Sequence, residues 1–119
     1  MKPLAIISWL FVTLLIGCAP SGPKTFYWGE YSSTLYDLKK APDEKTLAAH
    51  EKQLLLIIEE SDKKQMKVPP GVFAEYGYIL LKEGKEAEGM EYLDKEANLY
   101  SESIIFIQRI KAEYARGKK

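Results

Sequence analysis

The chain has 119 residues with 17 basic and 17 acidic side chains, so its formal net charge is zero. A chain of this length holds one small domain at most. Nucleic-acid binding calls for a basic patch, which the balanced charge does not favour, so we expect no nucleic acid among the partners. The chain has a single cysteine, so it can form neither an internal disulfide nor a cysteine metal cluster.

Residues 1–17 have the composition of an export signal. Met1 and Lys2 give a positive start, and an almost wholly apolar run follows from Leu4 to Ile16. A bilayer crossing needs about 20 apolar residues, whereas the core of a signal peptide has about 7–15. The run therefore predicts a signal peptide. A short membrane anchor followed by an incidental cysteine is the alternative interpretation.

The sequence Leu15-Ile16-Gly17-Cys18 resembles the lipobox of bacterial lipoproteins. A small residue before the cleavage point lets a signal peptidase reach the backbone, and the Cys18 thiolate is the nucleophile that accepts diacylglycerol. We predict cleavage before Cys18, which leaves 102 of the 119 residues, with 16 basic and 17 acidic side chains. Two or three acyl chains on Cys18 would then give firm membrane anchoring. Ala19 stands where an aspartate commonly retains lipoproteins in the inner membrane, so the same resemblance implies the outer membrane.

The remainder of the chain predicts an all-α domain at residues 26–116. Residues 18–25 form the lipidated cysteine and a tether, because the prolines, glycine and serine at 19–24 suit neither helix nor strand. After the tether, apolar residues recur at spacings of three and four, and no run alternates with period two. The predicted helices cover about 29–40, 44–64, 70–83, 85–100 and 101–116, before a frayed tail at 117–119. Their predicted ends include a cap at Asp43, Pro70 in a first turn and a cap at Ser101.

The third and fourth helices match the pattern of a tetratricopeptide repeat. Gly77 and Gly89 would let the two helices cross closely, and Gly84 suits the turn between them. A weaker match to the start of the same pattern begins at Trp28. It lies 45 residues before Phe73, whereas the standard repeat has a length of about 34 residues. We therefore expect two antiparallel helical hairpins with a C-terminal capping helix; an irregular five-helix bundle is the alternative. The matching positions are Phe73, Tyr76, Gly77, Leu80, Gly84, Ala87, Gly89 and Leu93.

Each predicted helix has an apolar face that we expect to turn inward. The last helix has the broadest such face. The expected inward residues are Trp28, Tyr31, Leu35 and Leu38; Leu47, Leu54, Ile57 and Ile58; Phe73, Tyr76, Leu80 and Leu81; Ala87, Met90, Leu93 and Ala97; and Ile104, Ile105, Phe106, Ile107, Ile110 and Tyr114.

Two titratable residues are candidates for chemistry. His50, the only histidine, could be a base or a ligand, but we interpret it as a boundary residue with one ring nitrogen hydrogen-bonded. Glu75 could pair with a basic group such as Lys52, face a binding groove or, less favoured, act catalytically. The chain has no HExxH spacing, nucleophile elbow, phosphate loop or dinucleotide motif, so we expect no enzyme activity, no cofactor and no metal.

Aromatic residues cluster directly after the tether, from Phe26 to Tyr36. Tyr27 and Tyr36 lie off the predicted apolar face, and exposed tyrosines are enriched at protein interfaces. These two residues, with Glu75 and Tyr76, are therefore the candidate partner-binding or motif residues. A place in the core or at its edge is the alternative for each aromatic residue.

With these residues in view, the chain resembles an uncharacterised family of small bacterial lipoproteins, domain of unknown function 4810. The resemblance implies a tetratricopeptide-like outer-membrane lipoprotein with no enzyme activity and no catalytic residue. It also implies a gene that often neighbours one for a lipoprotein similar to the curli secretion channel. Ser101 departs from the family, which tends to have a proline there. The resemblance rests on the lipobox at Cys18, Tyr27-Trp28-Gly29, Tyr31, Leu35, Tyr36, Pro69-Pro70-Gly71, Ala74-Glu75-Tyr76-Gly77, Tyr92 to Glu96 and Ser101-Glu102-Ser103.

These features predict a lipoprotein of the cell envelope, held to the outer membrane and facing the periplasm. Its expected role is that of a scaffold or assembly factor that binds another envelope protein, with a curli-secretion-channel-like lipoprotein as the candidate. The alternative function is regulation or inhibition of a cell-wall enzyme. We expect no small-molecule substrate.

Overall fold

The computed structural model describes residues 25–118, and this part of the chain folds into five α-helices and one 3-10 turn, without a strand. This confirms the all-α prediction for these residues. The predicted signal peptide, the lipidation of Cys18 and nearly all of the predicted tether lie outside the described residues. The helices are α1 (Tyr31–Lys40), α2 (Glu44–Lys63), α3 (Val72–Lys82), α4 (Glu86–Leu99) and α5 (Ile104–Gly117), with the 3-10 turn at Ser101–Ser103.

Two helix ends form by the predicted mechanism. The Asp43 carboxylate accepts a hydrogen bond of 2.8 Å from the Thr46 amide, and the Thr46 hydroxyl accepts one of 3.1 Å from the Asp43 amide. This reciprocal capping box begins α2. Gly84, after α3, has a φ of +81°, a left-handed conformation that a side chain would strain.

Two predicted ends are wrong. Pro70 does not lie in the first turn of α3, because Gly71 takes a left-handed φ of +90° and delays the helix start to Val72. Ser101 does not cap α5; it begins the 3-10 turn, and Ser103 precedes the helix without a side-chain cap. At the other end, α5 ends at Gly117, one residue beyond the predicted boundary.

Two apolar clusters hold the helices together. The first lies chiefly between α2 and α3 and includes Leu54, Ile57, Val72 and Leu80. The second joins α3, α4 and α5 through Ala74, Leu81, Leu93 and Ile107. Because α3 contributes to both clusters, it is the central helix of the domain.

The crossing of α3 and α4 depends on two glycines. A Cβ atom added to Gly77 would lie 2.8 Å from the Gly89 carbonyl oxygen, and one added to Gly89 would lie 2.8 Å from the Gly77 carbonyl oxygen. Both distances are too short for a real side chain. The predicted close crossing of α3 and α4 at these two glycines is therefore confirmed.

Several residues that we expected to be inward are exposed, because their helices cannot bury every apolar position. Trp28 precedes α1 and is 42% exposed, Leu47 lies in the first turns of α2, and Ala87 lies on the outer side of α4. On α5, four consecutive apolar residues cover more than one face of the helix. Only Ile107 of these four is buried, while Ile104, Ile105 and Phe106 are exposed.

The glycine crossing yields a stability prediction. Gly77→Ala adds a methyl group against the backbone of α4, and overpacking of this kind costs about 1–3 kcal/mol, partly offset by a gain in helix propensity of about 1 kcal/mol. Gly117→Ala is the matched control, because nothing lies within 4 Å of its added Cβ. In urea unfolding, we expect Gly77→Ala to be clearly less stable than both the wild type and Gly117→Ala. Equal stability of the two variants would show that α3 and α4 do not cross closely.

Candidate functional site: a carboxylate hub and the α3–α5 groove

Glu75, in the first turn of α3, links three helices through its carboxylate. The Tyr31 hydroxyl of α1 donates a hydrogen bond of 2.8 Å to one oxygen. The other oxygen lies 3.0 Å from Nε2 of His50 on α2. An ionised carboxylate only accepts hydrogen bonds, so Nε2 carries the hydrogen of this contact. We call Tyr31, His50 and Glu75 the carboxylate hub.

The hub corrects two predictions. His50 is not a boundary residue, because its side chain is fully buried and both ring nitrogens have partners: Nε2 contacts Glu75 and Nδ1 lies 2.8 Å from the Thr34 hydroxyl. Glu75 pairs with His50 and Tyr31 instead of Lys52. The reason is helical geometry, since residues two apart point about 200° apart. With His50 turned towards α3, Lys52 is exposed.

The electrostatics of the hub act most clearly on Tyr31. Burial, the hydrogen bond to Glu75 and the negative charge of Glu75 together raise the pKa of Tyr31 to about 12. The Tyr31 ring also packs on the His50 ring, with 5.4 Å between the centroids. The neutral tyrosine is thus held as a donor, and the carboxylate is fixed in position while its side chain stays 29% exposed.

A second carboxylate holds the connector that precedes α3. Glu96 of α4 is buried, and its Oε1 accepts hydrogen bonds from the Gly71 amide at 2.8 Å and from the Ser103 hydroxyl at 3.4 Å. Tyr100, one helical turn later, donates a bond of 2.6 Å to the Val68 carbonyl. Residues 68–71 are therefore fixed by α4 and by the turn that leads into α5.

A groove runs between α3 and α5, and Glu75 lies on its wall. Its first section has a volume of about 410 Å³ and its second about 380 Å³. Tyr78, Ile110 and Glu113 line both sections, so the groove is continuous. The α3 side of the first section is completed by Gly71, Ala74 and Glu75, and its α5 side by Phe106. The second section is completed by Leu81, Lys82, Tyr114, Gly117 and Lys118.

The α3–α5 groove has an apolar floor and charged edges. Phe106 is 57% exposed there, and Tyr78 is also exposed. Glu75 and Glu113 give the first section an acidic edge, whereas Lys82 and Lys118 line the second. Such a surface can bind an extended or helical segment with an apolar side, and its acidic edge favours a cationic residue on that segment.

The predicted candidate residues occupy different environments. Glu75 lines the first section of the α3–α5 groove. Tyr36 is 64% exposed on α1 and lies outside the groove lining. Tyr27 is half-buried beneath the Lys64 ammonium, which lies 4.7 Å from its ring centroid. Tyr76 is buried against Tyr92, with 4.7 Å between centroids, so it packs the core and presents no binding surface. Cys18 lies outside the described residues.

Sequence reasoning missed most of the groove. Tyr78 and Glu113 gave no signal, because each lies off the apolar face of its own helix. Phe106 did give a signal, because it belongs to a run of four consecutive apolar residues on one helix. A single packed face cannot bury all four, so at least one of them is expected to be exposed. Glu96 was noticed only within the family resemblance, and its burial among polar partners has no signature in a single sequence.

Comparison with known proteins identifies the family. The sequence profile described as Domain of unknown function (DUF4810) matches residues 25–110, and the chain belongs to this family. No curated protein and no solved structure matches the chain. Between residues 25 and 118, no helix is long and apolar enough to span a membrane. The same residues contain no group of three or more side chains that could hold a metal ion.

The raised pKa of Tyr31 predicts a pH dependence of stability. The folded pKa of about 12 exceeds the unfolded value of 10.0, so the stabilisation by neutral Tyr31 is complete below pH 10 and is lost as the pH rises towards 12. The difference in unfolding free energy between wild type and Tyr31→Phe should therefore shrink between pH 10 and pH 12. Tyr36→Phe, which removes an exposed tyrosine hydroxyl of α1, is the control for changes unrelated to the hub. Parallel curves for wild type and Tyr31→Phe would contradict the hub.

Proposed function

We propose that the protein is a lipid-anchored scaffold or assembly factor, which binds a segment of another envelope protein in the α3–α5 groove. The observation that carries this proposal is the groove itself, with exposed Tyr78 and Phe106 on its walls. Exposed apolar side chains around a concave surface mark a site of protein or ligand interaction. Glu75 adds a fixed acceptor at its edge, so the preferred segment presents an apolar face and a lysine or arginine.

The arrangement of the helices supports a tetratricopeptide-like reading within this proposal. The α3 and α4 helices form a hairpin around Gly84, with the glycine crossing of the repeat pattern. Along the groove, Gly71 and Ala74 lie opposite Phe106, and Lys82 lies with Gly117. The α3 and α5 helices therefore run in the same direction. In helical repeats the first helices of successive hairpins are likewise parallel and line one concave surface.

The membrane location and the partner class in this proposal are inferred from the sequence. The lipobox places the lipid on Cys18, and Ala19 favours the outer membrane, with the domain on the periplasmic side. The family resemblance suggests a channel-forming lipoprotein, similar to the curli secretion channel, as the partner. A scaffold needs proximity and a binding surface; the short tether would provide the first and the groove the second.

Site-specific photocrosslinking in cells tests this function. A photoreactive amino acid at Phe106 or Tyr78 should attach the same envelope protein from either position, because both side chains line the groove. The matched control is Gln108, which is exposed on α5 but is not a groove residue. Cys18→Ser should abolish the crosslink through release or failed processing, while circular dichroism still shows the folded helices.

The possible outcomes distinguish the scaffold function from the alternatives. Capture of a channel-forming lipoprotein from both groove positions supports the proposal and names the partner class. Capture of a cell-wall enzyme would replace it with the regulator function. Attachment of only lipids and abundant bystanders, equally from Phe106, Tyr78 and Gln108, would refute binding in the groove. An undiminished yield of the partner crosslink from soluble Cys18→Ser protein would refute the need for the anchor.

A further inference from the structure

Just before α1, the Trp28 ring is exposed at the surface and the neighbouring Phe26 ring is half-buried. The rings of Phe26 and Trp28 meet edge to face, with centroids 6.5 Å apart. Trp28 also packs edge to face on Tyr31, with 5.3 Å between centroids, yet remains 42% exposed. The Tyr31 hydroxyl is hydrogen-bonded to Glu75, so the ring against which the Trp28 indole packs is held in position. We call Phe26 and Trp28 the aromatic patch.

The distance from the proposed anchor restricts where this patch can lie. Six residues, 19–24, separate Cys18 from Thr25. A fully extended chain advances at most about 3.3–3.6 Å per residue, so Thr25 stays within roughly 25 Å of the lipidated residue. The aromatic patch follows immediately and is therefore the part of the described domain closest along the chain to the membrane. The α3–α5 groove has no residue in this segment.

The chemistry of the patch suits the headgroup region of a bilayer. Tryptophan is enriched at membrane interfaces because its ring is apolar while its N–H can bond to polar groups. Among the described residues, the neighbouring charges are of both signs: Lys64 lies over the Tyr27 ring but also pairs with Glu60, and Glu30 is exposed where α1 begins. Ring insertion, not attraction to anionic lipid, is thus the interaction that this surface offers.

We propose that the aromatic patch inserts into the headgroup region of the membrane that holds the Cys18 lipid, and thereby fixes the orientation of the domain on that membrane. The inference rests on the proposed lipid anchor. It adds a second, non-covalent contact, made by Trp28 and Phe26. Two contacts define the orientation of the domain relative to the bilayer better than one, so the partner site is presented in one orientation.

Fluorescence quenching tests the proposal, because the chain has two tryptophans and the predicted cleavage removes Trp9. The processed protein is extracted from membranes and reconstituted into phosphatidylethanolamine–phosphatidylglycerol vesicles whose acyl chains carry bromine near the headgroups. Trp28 fluorescence should be quenched, and added salt should not reverse the quenching. The matched control is the double variant Trp28→Phe/Tyr36→Trp, which moves the reporter to an exposed position of α1.

The readings separate this inference from the proposed function. Mass spectrometry of the N-terminal peptide reports whether Cys18 carries lipid. With lipid present, quenching of Trp28 several-fold stronger than that of the reporter at position 36 is the expected result. Lipid present with equal quenching at both positions would overturn the membrane contact alone. A Trp28 shielded from both brominated lipid and aqueous acrylamide would mean that protein covers the patch, which also overturns it. Absence of lipid on Cys18 would overturn the anchor and this inference together.

Discussion

The Glu75 carboxylate is the group on which the relative positions of α1, α2 and α3 depend. It accepts one hydrogen bond from Tyr31 and one from His50, and hydrogen bonds to a charged group contribute about 1.5–3 kcal/mol each when well shielded. The partial exposure of Glu75 reduces that figure, but it also gives the carboxylate its second role. One side of the group ties α1 and α2 to α3, and the other faces the α3–α5 groove. Stability and the proposed binding of a partner therefore depend on the same side chain.

The groove needs support at both of its walls. The hub fixes the α3 wall from the side of α1 and α2, while Glu96 fixes the start of α3 from the side of α4 through the Gly71 amide. Ile107, buried in the second cluster, holds the α5 wall in place and leaves Phe106 exposed. The carboxylates of Glu75 and Glu96, through their hydrogen bonds, thus position a surface that is otherwise mostly apolar. If the aromatic patch meets the bilayer as proposed, the same hub also supports Trp28 through Tyr31.

Local rules predicted the elements well where one residue decides the backbone. Asp43 and Gly84 act through their own side chain or its absence, so a single sequence was enough to find the α2 cap and the α3–α4 turn. The Gly77–Gly89 crossing was also predictable, because the repeat pattern specifies both small positions. The site was harder. The burial of His50, its contact with Glu75 and the exposure of Phe106 are set by tertiary packing. They depend on how helices distant in sequence are rotated against one another. Periodicity gives a face for each helix but does not say which neighbour covers it, so Trp28, Leu47 and Ile104 were wrongly expected to be inward.

A double-mutant cycle between Tyr31 and Glu75 tests most directly whether the carboxylate joins α1 to α3. Unfolding free energies are compared for wild type, Tyr31→Phe, Glu75→Ala and the double variant at neutral pH. If the hydrogen bond links α1 to α3 as described, the two substitutions should be coupled by about 1–3 kcal/mol, with the double variant less destabilised than the sum of the single variants. Effects that add to within about 0.5 kcal/mol would show that Tyr31 and Glu75 act independently, and would contradict the account.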